Sequence, residues 1–436
     1  MSVTVLRGRT LSFCDIPCSH DDHASYLYEE DGAVAVEDGL IAASGPYDEV
    51  RAQFPEAEVV DHRPHLILPG FIDTHLHFPQ GQVIGSFGTK LLDWLNTYTF
   101  VEEQKFADPE HCERMATHFF DNLLRNGTTT AVAYCSVHKA SAEAFFSEAE
   151  RRNLRMIGGK VMMDRNAPEP LRDTPQSAYD DSQNLIERWH GRGRALYAIS
   201  PRFAITSTPT QLEMAQALTE EHPECYLQTH LSENQAEIEL TLELYQSARD
   251  YLDVYEMYGL LGDKSLFGHC LHLGDRERAA MAETGSVAVF CPTSNLFLGS
   301  GLFDEDGLRA NGVRTAIATD IGGGTSYSML KTLDEAYKVL QLKNQVLNPL
   351  KSFCMMTLGN ARALQLEERI GTLQAGSEAD VVVLNSHATA AMALRMETVR
   401  TLAEELFVLQ TMADDRAIAS VYAAGRPSHP DLTTTG

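Results

Sequence analysis

The sequence predicts a distorted (β/α)8 barrel, an α/β fold, joined to a small composite β-sandwich domain drawn from both termini. Three observations lead there. Eight short β-rich runs alternate with helical patterns through the middle ~300 residues, the rhythm of a parallel barrel. The two ends share a different texture, strands punctuated by tight turns. Three of the eight central runs end in histidine and the last in aspartate, at the strand ends where such barrels carry their chemistry.

Near the N-terminus, Ala33-Val34-Ala35-Val36 and Leu40-Ile41-Ala42-Ala43 flank Glu37-Asp38-Gly39, a hairpin signal. The first central runs end at Ile72-Asp73-Thr74-His75, Ala131-Val132-Ala133-Tyr134, Lys160-Val161-Met162-Met163-Asp164 and Tyr197-Ala198-Ile199-Ser200-Pro201. The others end at Tyr226-Leu227-Gln228-Thr229-His230, Ser265-Leu266-Phe267-Gly268-His269, Val287-Ala288-Val289-Phe290-Cys291 and Ala316-Ile317-Ala318-Thr319-Asp320. Helical patterns lie between them, among them 112–125, 142–152, 210–221 and 276–283. An open doubly wound sheet would carry a glycine-rich phosphate loop after its first strand, and none is present. Towards the C-terminus, Gly376-Ser377-Glu378-Ala379-Asp380 precedes Val381-Val382-Val383-Leu384, and Ala419-Ser420-Val421-Tyr422 leads into a turn at Ala424-Gly425-Arg426. Neither end is large enough to form a good β core alone. Pairing them assigns residues 1–68 with 368–436 to one composite domain and 69–367 to the barrel. The alternative is two separate edge hairpins on a larger domain.

Composition narrows the function. The chain has 436 residues, 44% of them hydrophobic and 22% charged, which excludes a disordered or fibrous protein. Its formal net charge is -26, so nucleic-acid polymers and acidic membrane surfaces are excluded as partners. No apolar run approaches the ~20 residues of a membrane span, and the first residues lack a signal-peptide core, so a cytoplasmic protein is expected. The eight cysteines are scattered and form no Cys-x-x-Cys pair, as expected of reduced thiols rather than a disulfide framework.

The strand ends carry the chemistry. His75 and His77, two apart on an extended segment, point the same way. His230, His269 and Asp320 end three later runs. Imidazole and carboxylate together suit Zn²⁺, and Fe²⁺ as well. Alone, a His-x-His pair arises by chance, and Asp320 reads equally as a turn cap before Gly322-Gly323-Gly324. Sixteen histidines do not by their number account for the ordered set.

Pro69-Gly70-Phe71-Ile72-Asp73-Thr74-His75-Leu76-His77 resembles the opening metal motif of the amidohydrolase superfamily. Gln228-Thr229-His230, Phe267-Gly268-His269 and Ala318-Thr319-Asp320 follow in the order that family requires. The resemblance spans essentially the whole chain. It implies that His75, His77, His230 and Asp320 hold one metal ion, with His269 aimed at the water. No strand-four lysine suits carboxylation, and Lys160 lies on strand three, which favours one ion over a bridged pair. Glu233, three residues after His230, implies a proton shuttle; read alone it is a first-turn helix acid.

Longer stretches are similar to the guanine deaminase branch, its bacterial forms in particular. These are His77-Phe78-Pro79-Gln80, the run from Leu91 to Phe100, Met163-Asp164-Arg165-Asn166, Ser200-Pro201-Arg202-Phe203, the run from Cys291 to Gly301, and Thr319-Asp320-Ile321-Gly322-Gly323-Gly324-Thr325-Ser326. One departure stands out: Phe100 is followed by Val101-Glu102-Glu103 where the family continues Pro-Thr-Glu. The resemblance implies hydrolysis of guanine to xanthine and ammonia by Glu233, Asp320 and His269, in a cytoplasmic homodimer. Gln80, Arg202 and Phe203 would bind the base, beside His77, His230, Glu233 and Asp320. A guanidinium takes the two acceptors O6 and N7 of guanine bidentately, Gln80 offers donor and acceptor, and Phe203 offers a stacking face. Trp94 and Tyr98, four apart, read as one helix face. The rival readings are a deaminase of a related ring (8-oxoguanine, a pterin or a triazine) and a non-catalytic scaffold. A nucleic-acid deaminase would need a His-x-Glu…Pro-Cys-x-x-Cys signature, which is absent.

Overall fold

Four strands open the chain in the computed structural model, which describes residues 3–88 and 90–428: β1 (Thr4–Phe13), β2 (Tyr26–Glu37), β3 (Leu40–Pro46) and β4 (Glu58–Pro69). The predicted hairpin joins β2 to β3. Asp38 and Gly39 both take positive φ, 51° and 82°, as a two-residue turn of matching twist requires.

The barrel strands follow: β5 (Phe71–His77), β6 (Thr128–Tyr134), β7 (Arg155–Gly159), β8 (Val161–Met162), β9 (Leu196–Pro201), β10 (Tyr226–Leu231), β11 (Ser265–His269), β12 (Val287–Phe290) and β13 (Arg314–Ile317). They run parallel in the order β5-β6-β7-β9-β10-β11-β12-β13, with β8 pairing to β9. Backbone bonds from Asp320 N–H to the His75 carbonyl and from His77 N–H to the Ile321 carbonyl close the ring. Ile72, Val132, Ile157, Leu266, Val289 and Ala316 fill its interior.

The third strand departs from the expected run at 160–164. Its main ladder is Arg155–Gly159, and only Val161 and Met162 continue it. The reason is close approach: a Cβ on Gly159 would lie 1.7 Å from the Ala198 carbonyl, so this crossing excludes a side chain. The predicted helices lie at Pro109–Arg125, Lys139–Arg152, Pro209–Glu221 and Asp275–Thr284. Proline stands at the start of two of them, where its missing N–H has no helical partner anyway.

The chain then returns as β14 (Val381–Leu384), β15 (Ile418–Ala423) and β16 (Arg426–Pro427). The strands expected to form a β-sandwich make one continuous mixed sheet, β16-β15-β14-β4-β1-β2-β3. β4 lies at its centre, parallel to β1 and antiparallel to β14. No described helix is long and apolar enough to cross a membrane.

The sheet meets the barrel through a nearly buried ionic cluster. Arg155 on β7 and Arg194 just before β9 both bind Glu378, and Arg194 also binds Asp380. The side chains of Arg155 and Arg194 are only 4% and 10% exposed. Glu378→Ala leaves Arg155 without its carboxylate in a dry setting and is expected to lower the unfolding free energy by about 3 kcal/mol. The urea unfolding midpoint reads this, and an unchanged midpoint would show that the cluster does not secure the junction.

Candidate active site

Every residue of β5 is buried, and its last turn delivers His75 and His77 to the barrel mouth. The Nε2 atoms of both lie 3.4 Å from Asp320 Oδ1, at the far side of the closing seam. His230, at the end of β10, holds its Nδ1 2.7 Å from the Arg202 carbonyl. A carbonyl only accepts, so Nδ1 carries the proton and Nε2 is left bare, 3.2 Å from His77 Nε2. His269 ends β11, with Nδ1 2.9 Å from Asn295 Oδ1. Its Nε2 is 3.3 Å from Glu233 Oε2 and 3.8 Å from Asp320 Oδ2.

These residues fit a metal ion. His75 Nε2 is buried and has no hydrogen-bond partner among the described residues. His75, His230 and His269 present ligand atoms within 4.8 Å of one another, and Cys291 meets the same limit with His75 and Asp320. Burial pushes the Cys291 thiol well up, so it stays neutral. Lys160 lies outside the cluster, its ammonium bound to Asp173 and the Val161 carbonyl.

Electrostatics sorts the groups. Burial lowers His77 to about 4 and, helped by neighbouring imidazoles, holds His230 well below the usual range, so both are neutral near pH 7. Burial opposes the charge on Asp320, but the imidazoles of His75 and His77, each with Nε2 3.4 Å from its Oδ1, outweigh it and hold the carboxyl well below the ordinary range. Burial, then the charge of Asp320, pushes Glu233 up to about 8, against the Ser300 hydroxyl that donates to its Oε1 at 2.9 Å. One carboxyl group is thus ionised and its neighbour protonated.

Glu233 precedes the helix Gln235–Leu244 and its cap Asn234, so it is not a first-turn acid. That part falls to Glu237, which accepts from the backbone N–H of Glu233 and of Asn234. Several non-glycine residues at these strand ends take left-handed backbone: Ser232 (φ 50°), His269 (74°), Cys270 (53°) and Asp320 (53°). Such strain gathers at functional sites because it aims side chains that a regular strand would not.

Above the cluster is a cavity lined by His77, Gln80, Trp94, Arg202, Phe203 and Glu233 among others. The structure therefore brings all the predicted base-facing residues around one space, with His75 beneath it. Three further residues escaped the sequence reading. Glu103, 1% exposed, accepts from Gln80 Nε2 at 2.8 Å and from Arg202 Nη1 at 2.7 Å. Its signal was the departure segment, whose third residue is glutamate as in Pro-Thr-Glu. Asn295 and Ser300 stand in the run from Cys291 to Gly301, where no local signal marks them. Trp94 also differs from expectation. A π-helical turn at Leu95–Thr99 breaks the four-residue register, so Trp94 lines the cavity while Tyr98 does not.

The amidohydrolase family model matches residues 66–427, and a bacterial imidazolonepropionase-like composite domain matches residues 32–57. Guanine deaminase of Escherichia coli is 46% identical over 420 residues, covering 95% of this chain and 96% of that one. The structure of E. coli guanine deaminase superposes with a TM-score of 0.95 at 44% identity, covering 98% of this chain and 99% of that one. Guanine deaminase from C. acetobutylicum, with guanine bound in its active site, gives 0.88 at 26% identity over 98% and 100%.

A Cβ on Gly268 would lie 2.5 Å from His75 Cε1. Gly268→Ala should therefore tilt His75 and cut retained metal at least about tenfold on dialysis, with unchanged circular dichroism. Undiminished metal would show that this ring is not part of the cradle.

Proposed function

The chain belongs to the amidohydrolase family and, within it, to the guanine deaminases, and from that premise we propose how its residues divide the work. It hydrolyses guanine to xanthine and ammonia. One observation carries the assignment of roles: the carboxyl groups of Asp320 and Glu233 both face His269 Nε2, at 3.8 and 3.3 Å, and their surroundings push the first towards its ionised form and the second towards its protonated form.

We assign His75, His77, His230 and Asp320 as the ligands of a single divalent ion, zinc, with ferrous iron acceptable to the same donors. The bare Nε2 atoms and the ionised carboxylate support that set. Bound there, the ion supplies Lewis acidity that brings water towards a pKa of ~7.

Guanine binds with its O6 and N7 edge towards Arg202 and Gln80 and its ring against Phe203. His269, steadied by Asn295, orients a water molecule, and the Asp320 carboxylate accepts one of its protons. The water oxygen adds to C2 while Glu233 gives its proton to N3. Asp320 then passes its proton to the exocyclic amine, the C2–N bond breaks, and ammonia leaves. Glu233 recovers a proton from the new C2 hydroxyl, leaving xanthine and both carboxyl groups in their starting states. This is acid–base catalysis shared by two carboxyls of opposite character.

The two-sheet topology supports dividing the chain into a composite domain, 1–68 with 368–436, and a barrel, 69–367; residues 1–2 and 429–436 lie outside the described ones. A cytoplasmic homodimer belongs to the same proposal. Eight free cysteines, six of them buried, agree with a reducing compartment.

Ammonia release from guanine should vanish on chelation and return with Zn²⁺; turnover by metal-free protein would overturn the ligand assignment. Glu233→Gln should keep its metal and lose roughly 10²–10⁴-fold in kcat, and near-native turnover would remove Glu233 from its role. The working form of Glu233 is the protonated one, so kcat/KM for guanine should fall as pH rises through about 8. A profile that stays flat well above that pH contradicts the assignment.

A further inference from the structure

Glu103 does more than fill a buried position. Gln80 has one acceptor and two donors at its amide. Its Oε1 already accepts the Gly322 N–H at 3.0 Å, and one Nε2 hydrogen goes to Glu103 Oε1. The reverse amide orientation would set a carbonyl against a carboxylate and an NH₂ against an N–H, two contacts of like polarity. The amide is therefore locked, with Oε1 turned to the Gly322 N–H and one N–H left without a partner among the described residues. Arg202 has only donors, and Glu103 Oε2 takes one of them. The turn that delivers Glu103 also brings Phe100 under the guanidinium, 5.4 Å from its carbon. The hydrogens that Gln80 and Arg202 have left make this edge of the cavity predominantly a donor edge.

We propose that Glu103 is a positioning residue that sets substrate specificity: by locking Gln80 and Arg202 as donors, it selects a purine edge of two acceptors and rejects one bearing a 6-amino group. This rests on the guanine-deaminating reading above. In that edge O6 and N7 of a 6-oxopurine each meet an N–H. A 6-amino group would face donors, and the buried N–H groups would go unpaired. A purely structural role for the Glu103–Arg202 pair would stabilise the cavity wall but would not discriminate at position 6.

The test compares kcat/KM for guanine and 2,6-diaminopurine, which share the C2 amine and N7 and differ at position 6, O6 against an amino group, and at the adjoining N1, an N–H in guanine and a bare nitrogen in the other. The unaltered enzyme should prefer guanine at least about a hundredfold. In Glu103→Gln the new NH₂ faces the donors and releases the amide of Gln80, so the preference should fall at least about tenfold, chiefly through KM. Metal content is measured on the same samples, because Arg202 also holds His230 through its carbonyl. Equal loss on both substrates, with the preference intact, would overturn the proposal, as would an unaltered enzyme that treats both rings alike. If Glu103→Gln does not fold, competitive inhibition of the unaltered enzyme decides: hypoxanthine should bind at least about a hundredfold tighter than adenine. Absence of guanine turnover by the unaltered, metal-loaded enzyme would sink the guanine reading instead, and direct binding of hypoxanthine and adenine would still judge the donor edge.

Discussion

The seam where the last barrel strand meets the first is the constraint on which the site depends. The Asp320 N–H binds the His75 carbonyl, and Thr319 binds the buried carboxyl of Asp73 through both its backbone and its hydroxyl. Burial pushes Asp73 up to about 6 while the Thr319 bonds resist, so it sits as an anchor between the two strand ends. The carboxylate of Asp320 reaches His75 and His77 only because these backbone bonds hold the ends in register. Barrel closure and assembly of the cation cradle are one event.

Low polarity around that seam then divides the labour. Burial holds His77 and His230 neutral near pH 7, leaving lone pairs free for a cation. The carboxyl groups of Asp320 and Glu233, both facing His269 Nε2, are pushed in opposite directions because one lies against the imidazoles of His75 and His77 while the other meets mainly burial and the charge of its neighbour. The left-handed backbone at Ser232, His269 and Asp320 costs conformational energy, which the packed barrel sustains.

Much of this was legible in the sequence because it is local. Strand-end histidines, the Asp38-Gly39 turn and the proline-started helices each follow from neighbours a few residues apart. β7 was misplaced because Gly158-Gly159 erases the β-branched signal, and the close crossing that requires glycine is visible only in three dimensions. Trp94 was misread because a π turn alters the register that periodicity assumes. Glu103 escaped for a deeper reason: an acid between Glu102 and Gln104 looks like solvated surface, and its burial exists only once Gln80 and Arg202 arrive from beyond the ends of β5 and β9. A single continuous sheet in place of two was likewise beyond reach, since strand pairing between the chain ends has no local signature.

That sheet has a consequence for biosynthesis. β4 pairs with β14, Pro69 opposite Val381, across a sequence separation of roughly 300 residues, the kind of contact that slows folding most. While the ribosome is still making the barrel, β4 has β1 on one side and nothing on the other. Its bare edge must wait for most of the chain to emerge, and an unpaired edge is a template for the wrong neighbour. The nascent chain is therefore most vulnerable to misassembly in the interval before β14 appears, and quality control acting on this protein would act there.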